Sequence, residues 1–299
     1  MNAPAMPRWL EAMFPPGMRR RMVDVGGVRM HVAEWGEGPT VVLLHGNPSW
    51  GFLWRKVVAA LAPEGLRLVV PDLIGLGLSD KPRDLEAHSL AAHQAWVARC
   101  LDEVAPGDLY LVAQDWGGPI GLLALADRMD RVRGVVLANT VVGPPRPGFK
   151  PTTFHRLSQL PVVSDVLFRV AGLPQAGMAL VQGDRTSILG KATLAYLWPL
   201  RRLRDRAAPL ALARMVPDTF QHPSIPLLER CQEVVTSYRG PISLVWGTRD
   251  PVLGRAISWL EELLPDARVL RTDAGHFLQE EVPGPIADAV REQVGARIN

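Results

Sequence analysis

Apolar positions along the chain keep two rhythms. "VRMHVAEW" (Val28–Trp35) alternates apolar and polar residues, the period of a half-exposed strand. "TVVLLH" (Thr40–His45), "RLVVPDL" (Arg67–Leu73), "LYLVAQ" (Leu109–Gln114) and "VRGVVLAN" (Val132–Asn139) are largely continuous apolar runs. Such runs suit strands buried on both faces, and therefore a mainly parallel sheet between helical layers. Helical segments are expected between them, near Phe52–Leu61, Ala91–Val104 and Pro119–Arg128. The strand pattern returns at "PISLVWG" (Pro241–Gly247) and "ARVLRTD" (Ala267–Asp273), and a last helix is expected within Gln279–Ile298.

Between Val141 and His222 the rhythm breaks: prolines are frequent, no strand pattern is convincing, and "VVSDVLFRVAGL", "GMALVQG" and "ATLAYLWPLRRL" read as short helices. An insert of roughly 80 residues is far too long for a plain connection. The expected layout is an α/β core over 1–140 and 223–299, with a helical cap over 141–222. Ligand sites of α/β sheets lie at the carboxyl ends of strands, so an insert after a strand would form a lid over the site.

Composition changes this picture little. Apolar residues are 47% and charged residues 21% of 299, ordinary for a globular protein with a large core. With 33 basic and 30 acidic residues, the net charge of +3 gives no reason to expect nucleic acid or anionic lipid as a partner. The one basic cluster, "RRLRDR" (Arg201–Arg206), reads as a solvated helix face. Cys100 and Cys231 fall in expected helices and read as buried thiols of a cytoplasmic protein rather than a disulfide. Pro7, Glu11 and Pro15-Pro16 interrupt the N-terminal apolar residues, against a signal peptide, and no stretch approaches the ~18 apolar residues of a membrane span. No metal-ligand spacing and no phosphate-cradling loop is present, so no metal or cofactor is implied.

The chemistry centres on "LYLVAQDWGGPIGLLALA" (Leu109–Ala126). A buried strand meets Asp115, then two glycines and a helix, with small residues two before (Ala113) and two after (Gly117). That is the pattern of a nucleophile elbow, with Asp in the usual place of Ser. A carboxylate can act as a covalent nucleophile and needs no base to activate it. Burial would raise its pKa, and the helix N-terminus would offset part of that. An N-cap of the same helix is the plainer alternative. "LLHGNPSW" (Leu43–Trp50) also follows a buried strand, so the backbone N–H of Asn47 could join that of Trp116 as an oxyanion hole. Asp250 in "VWGTRDP" and His276 in "DAGHFLQEE" each follow a late strand. The order nucleophile, acid, histidine is that of α/β-hydrolases. The acid would hold the tautomer of His276, the general base. His45 reads as a structural support of its loop, and His31, His88, His93, His155 and His222 carry no readable signal.

HGNP, QDWGG, WGxxDP and GHFLQEE, with "VPDLIGLGLSDKP" (Val70–Pro82), resemble the haloalkane dehalogenases of the α/β-hydrolase superfamily over nearly the whole chain. The resemblance implies a mostly parallel eight-stranded sheet with a helical cap after strand six. It also implies an alkyl-aspartate intermediate on Asp115, hydrolysed by water that His276 activates, with no cofactor. Some members carry the acid after the sixth strand, where this chain has Asn139, so Asp250 is the expected acid. Halide would be held by Asn47 and Trp116, an arrangement similar to that of the third subfamily. Trp supplies one N–H and Asn two, with no charge to pair with Asp115. That subfamily also includes β-lactone decarboxylases of long-chain olefin biosynthesis, so a fatty β-lactone is the alternative substrate to a haloalkane. Epoxide hydrolases share the Asp elbow but use a pair of cap tyrosines, and only Tyr196 lies in this cap. Fluoroacetate dehalogenases usually carry Arg where Trp116 stands, Ser esterases would need Ser at 115, and a non-catalytic binding protein would be expected to lack a triad member.

Overall fold

The continuous apolar runs become the buried strands of one sheet. The structure, a computed structural model, describes residues 2–295. Its strands are β1 (Arg19–Asp24), β2 (Arg29–Trp35), β3 (Thr40–Leu44), β4 (Arg67–Pro71), β5 (Leu109–Asp115), β6 (Val132–Thr140), β7 (Ile242–Gly247) and β8 (Arg268–Thr272). They lie in the order β1-β2-β4-β3-β5-β6-β7-β8, eight strands among the described residues. β1 and β2 pair antiparallel, as do β2 and β4, and every other pair is parallel. This is the α/β-hydrolase arrangement.

Helices α1 (Arg55–Leu61) and α6 (Pro283–Gly295) cover one face, packing Val57, Leu61, Ile286 and Val290 on Val41, Leu43, Val112 and Val136. Helices α2 (Leu90–Val104), α3 (Gly117–Ala124), α4 (Ile225–Ser237) and α5 (Ala256–Leu263) cover the other, over Val42, Leu44, Leu111 and Val135. Because both faces are covered, odd and even strand positions are alike apolar. Ser89 starts α2 by accepting the Ala92 N–H at 3.1 Å, the usual service of an N-cap serine.

The strand pattern missed β1. Its sequence RRRMVD buries only Met22 and Val23, and Arg21 instead reaches Glu34 of β2 at 3.1 Å. A charged edge strand of this kind resists pairing with other chains and hides from an apolar-pattern search. The last helix begins at Pro283, after a separate turn over Leu278–Glu281; the expected range beyond Gly295 lies outside the described residues.

From β6 to α4 the described residues contain no strand. Of the short helices there, Ala207–Arg214 bonds Asn47 beyond β3 through Pro209 O, Lys191–Leu197 bonds Trp50 through Ala195 O, and Thr153–Ser158 and Asp165–Val170 pack on Leu210 and Ala213. "VVSDVLFRVAGL" turns Phe168 inward and leaves Val162, Val166 and Val170 exposed. The cluster Arg201–Arg206 is solvated as expected, exposed from Arg201 through Arg204, but its helix is only a short 3-10 turn over Leu203–Asp205, and its last member Arg206 donates to Leu200 O, Arg169 O and Val170 O. Two of the contacts that hold this cap to the core run through Trp50 and Glu280. Trp50 Nε1 donates to Ala195 O at 3.2 Å. The fully buried Glu280 accepts the Tyr196 hydroxyl at 2.5 Å and a forked pair of bonds from Arg55 at 2.5 and 2.8 Å. A buried carboxylate is tolerable only when its charge and lone pairs are matched in this way. Cys100 and Cys231 are separate, buried thiols.

Candidate active site

Asp115 ends β5 with φ +50°, a left-handed conformation unusual for a side chain other than Gly or Asn. Holding a residue there costs on the order of 1–3 kcal/mol, which the surroundings must supply. They do so by close backbone approach. A Cβ on Gly117 would lie 2.4 Å from Leu44 O, and one on Gly46 would lie 2.2 Å from Asp115 Oδ1. The Thr140 hydroxyl donates to Asp115 O at 2.6 Å and closes the turn from the β6 side.

The carboxylate lies where two chain segments offer N–H groups. Asn47 N donates to Asp115 Oδ1 at 2.7 Å, and the Trp116 N–H also bonds the carboxylate at the start of α3. Burial pushes the Asp115 carboxyl above the usual range; positive charge on His276 and the N–H groups of Trp116 and Asn47 act against it. Asp115 Oδ2 faces His276 Nε2 at 3.7 Å. On the far side of that ring, His276 Nδ1 is 2.9 Å from Asp250 Oδ2. Burial alone would lower the His276 pKa, but Asp250 and Asp115 beside it raise it above its ordinary value.

All three groups lie at the carboxyl edge of parallel strands, Asp115 on β5, Asp250 after β7 and His276 after β8. Asn139, at the end of β6, fills a place that the sequence reading left empty. Its Nδ2 donates to Asp250 Oδ2 and to Gly275 O, each at 2.9 Å, and its Oδ1 accepts Gly247 N at 2.8 Å. With Val252 N donating to Asp250 Oδ1 at 2.7 Å, both oxygens of the acid are engaged. Gln114, fully buried, brings its Nε2 to 3.3 Å from His276 Nε2. An amide donor there suits a ring that is unprotonated at Nε2 and carries its hydrogen on Nδ1.

Trp116 is buried, and among the described residues its indole N–H has no acceptor. Asn47 Nδ2 is already engaged, donating to Pro209 O of the cap at 3.0 Å, which leaves its second hydrogen for a ligand. His45 is neutral and structural: its Nε2 accepts Leu73 N at 3.0 Å, its Nδ1 faces Gly46 O at 2.9 Å, and burial lowers its pKa. Tyr196, the one cap tyrosine, is consumed by Glu280. That removes the phenol an epoxide opening would need. His155, unreadable in the sequence as a lone histidine, is held by Thr152 at 2.8 Å. Burial, then charge on nearby His276, push it down to about 4, so it is neutral.

Known proteins agree with this architecture. Residues 39–283 match the family model of the alpha/beta hydrolase fold. A haloalkane dehalogenase of Mycolicibacterium paratuberculosis is 33% identical over 272 residues, covering 89% of this chain and 88% of that one. Haloalkane dehalogenase 1 of Mycobacterium tuberculosis is 32% identical over 253 residues, covering 84% and 82%. Among solved structures, the haloalkane dehalogenase DatA of Agrobacterium tumefaciens superposes with a TM-score of 0.84 at 25% identity, covering 96% of this chain and 99% of that one. DbeA of Bradyrhizobium elkani superposes at 0.84 with 24% identity, covering 94% and 99%, a likeness of fold. Among the described residues no helix is long and apolar enough to cross a membrane. The relatives favour dehalogenation over the β-lactone alternative. The chain is a hydrolase and belongs to the haloalkane dehalogenase family of the α/β-hydrolase fold.

Proposed function

We propose that Asp115, His276 and Asp250 carry out hydrolytic dehalogenation in two steps. Asp115 Oδ1 is taken up by the Asn47 N–H, so Oδ2 is the oxygen free to attack carbon. Its lone pair forms a C–O bond, the carbon–halogen bond breaks, and halide leaves with the electron pair. Negative charge grows on the halogen only as that bond breaks. Donors there, from the Trp116 indole and the second Asn47 amide hydrogen, therefore stabilise the transition state more than the substrate.

In the second step water attacks the carbonyl carbon of the ester. His276 Nε2 takes its proton, Asp250 stabilises the imidazolium, and the N–H groups of Asn47 and Trp116 hold the oxyanion. The intermediate collapses, the acyl C–O bond breaks, and the alkoxide leaves as alcohol with the proton from His276. The observation that carries this reading is the line from Asp115 Oδ2 across the imidazole to Asp250, 3.7 and 2.9 Å long. A separation longer than a hydrogen bond on one side and a hydrogen bond on the other suit a base whose Nε2 is not engaged by Asp115.

His276→Phe with 1-bromohexane tests it. Bromide should be released once per enzyme, and intact-mass spectrometry should show a lasting hexyl adduct that peptide mapping places on Asp115. Absence of the adduct while the unmodified enzyme turns over would reject Asp115 as nucleophile. A disubstituted β-lactone assayed beside it for CO₂ release separates the haloalkane from the alternative substrate.

A further inference from the structure

The loop carrying the base hangs from the cap. Three successive main-chain N–H groups, those of Gly275, His276 and Phe277, find acceptors outside the loop. His276 N donates to Val181 O at 2.9 Å and Phe277 N to Gln182 Oε1 at 2.8 Å, both in the cap. Gln182 Nε2 returns a bond to Phe277 O at 3.2 Å. Gly275 N donates to Glu281 Oε1 at 2.9 Å. The same carboxylate accepts Gly183 N at 3.0 Å and, through Oε2, Asp184 N at 2.7 Å. The two backbones meet without side chains between them: a Cβ on Gly275 would lie 2.4 Å from both Gly183 N and Val181 O.

The nucleophile is held differently. Asp115 takes its bonds from Asn47 N, Trp116 N and Thr140, all of the core. The base alone therefore depends on how the cap segment 181–184 is seated, and one carboxylate, Glu281, bonds both sides of that seam. We infer that Glu281 is a positioning residue for the water-activating step, holding His276 in reach of the ester by fastening cap segment 181–184 to the histidine loop, with Gln182 as its partner in the cap.

This inference rests on the two-step reading above and predicts a split between the steps. Alkylation needs Asp115 and the halide donors, none of which touches Glu281. Ester hydrolysis needs His276 in place, and a displacement of about 1 Å can cost about 10²-fold in rate. In Glu281→Gln one carboxylate oxygen becomes an NH₂ group facing N–H donors, so the seam loosens while the side chain keeps its size.

Single-turnover rapid quench with 1-bromohexane measures bromide release and ester decay separately on the full chain. In Glu281→Gln, ester decay should slow by about 10- to 100-fold. Alkylation should stay within about twofold, the Asp115 adduct should accumulate, and kcat and KM should fall together with kcat/KM preserved. Glu281→Asp, which keeps the charge, should recover part of the decay rate. Gln182→Ala should show the same split on a smaller scale and carries the test if Glu281→Gln does not fold. Unchanged ester decay in the folded variants, or equal losses in both steps with no adduct, would overturn the inference. A wild type that releases no bromide would instead sink the dehalogenase reading itself.

Discussion

Asp250→Asn removes one charge and keeps the shape of the side chain. Asp250 Oδ2 receives both His276 Nδ1 and Asn139 Nδ2 at 2.9 Å, and Oδ1 receives Val252 N at 2.7 Å. An amide has one oxygen. If it stays with Val252 N, the new NH₂ group faces two donors. His276 then escapes by moving its hydrogen to Nε2, which disables the lone pair that must take the proton from water. The charge also matters by itself. An opposite charge about 4 Å from the imidazolium is worth about 4 kcal/mol at an effective dielectric near 20, or about three decades of rate. The tautomer error brings the expected loss in ester hydrolysis to about 10³–10⁴-fold, the scale of such a change in a related triad. Alkylation does not use the imidazole and should keep its rate within a few-fold. Rapid quench with 1-bromohexane, followed by intact-mass analysis, separates the two constants. Turnover within tenfold of wild type, or alkylation falling as far as hydrolysis, would refute the assignment of Asp250 as the partner of the base.

Three further outcomes are expected. Trp116→Phe should slow bromide release about 10²-fold or more, the cost of losing one preorganised donor, and should weaken the quenching of tryptophan fluorescence by iodide; equal quenching in both proteins would argue against a halide contact there. The pH dependence of ester hydrolysis should show one acid limb. The base works only unprotonated, so kcat should fall as pH drops through its pKa, and because Asp250 raises that pKa, Asp250→Asn should move the inflection down, as pH-rate profiles of kcat would reveal. Tyr196→Phe should cost about 1.5–3 kcal/mol in chemical denaturation, since a buried hydroxyl–carboxylate bond is lost, while alkylation and ester decay keep their rates; a change in chemistry would mean that Tyr196 reaches the substrate after all.

The chemical elements of the site were legible in one dimension because each follows a strong local signal. Asp115 stands between an apolar strand and a Gly-rich helix start, Asn47 follows His45-Gly46 after another strand, and Asp250 and His276 follow the last two strands in the order of a hydrolase. Strand identity was equally local wherever both faces are buried, from β3 through β7. β1 escaped because its burial is confined to two residues of an arginine-rich edge. The solvated helical face expected at Arg201–Arg206 is exposed but shrinks to a 3-10 turn, and Arg206 turns away from solvent because its anchors are carbonyls of Leu200 and of the cap helix over Asp165–Val170, which no local pattern contains.

By itself, then, the order of apolar runs and small residues determined the strands, the sharp bend at Asp115 and the candidate residues for the chemistry, since each carries a signal within a few residues. What only the tertiary structure decided is how those groups are held. Asn139, read along the chain as a missing acid, is the donor that fastens Asp250; Tyr196 is withdrawn by Glu280; Asn47 gives one hydrogen to Pro209; and the loop of His276 hangs from residues 181–184. These partners lie from 84 to 162 positions apart along the chain. A hydrogen bond depends on distance in space, and only the folded sheet with its cap in place brings those donors and acceptors within 3 Å.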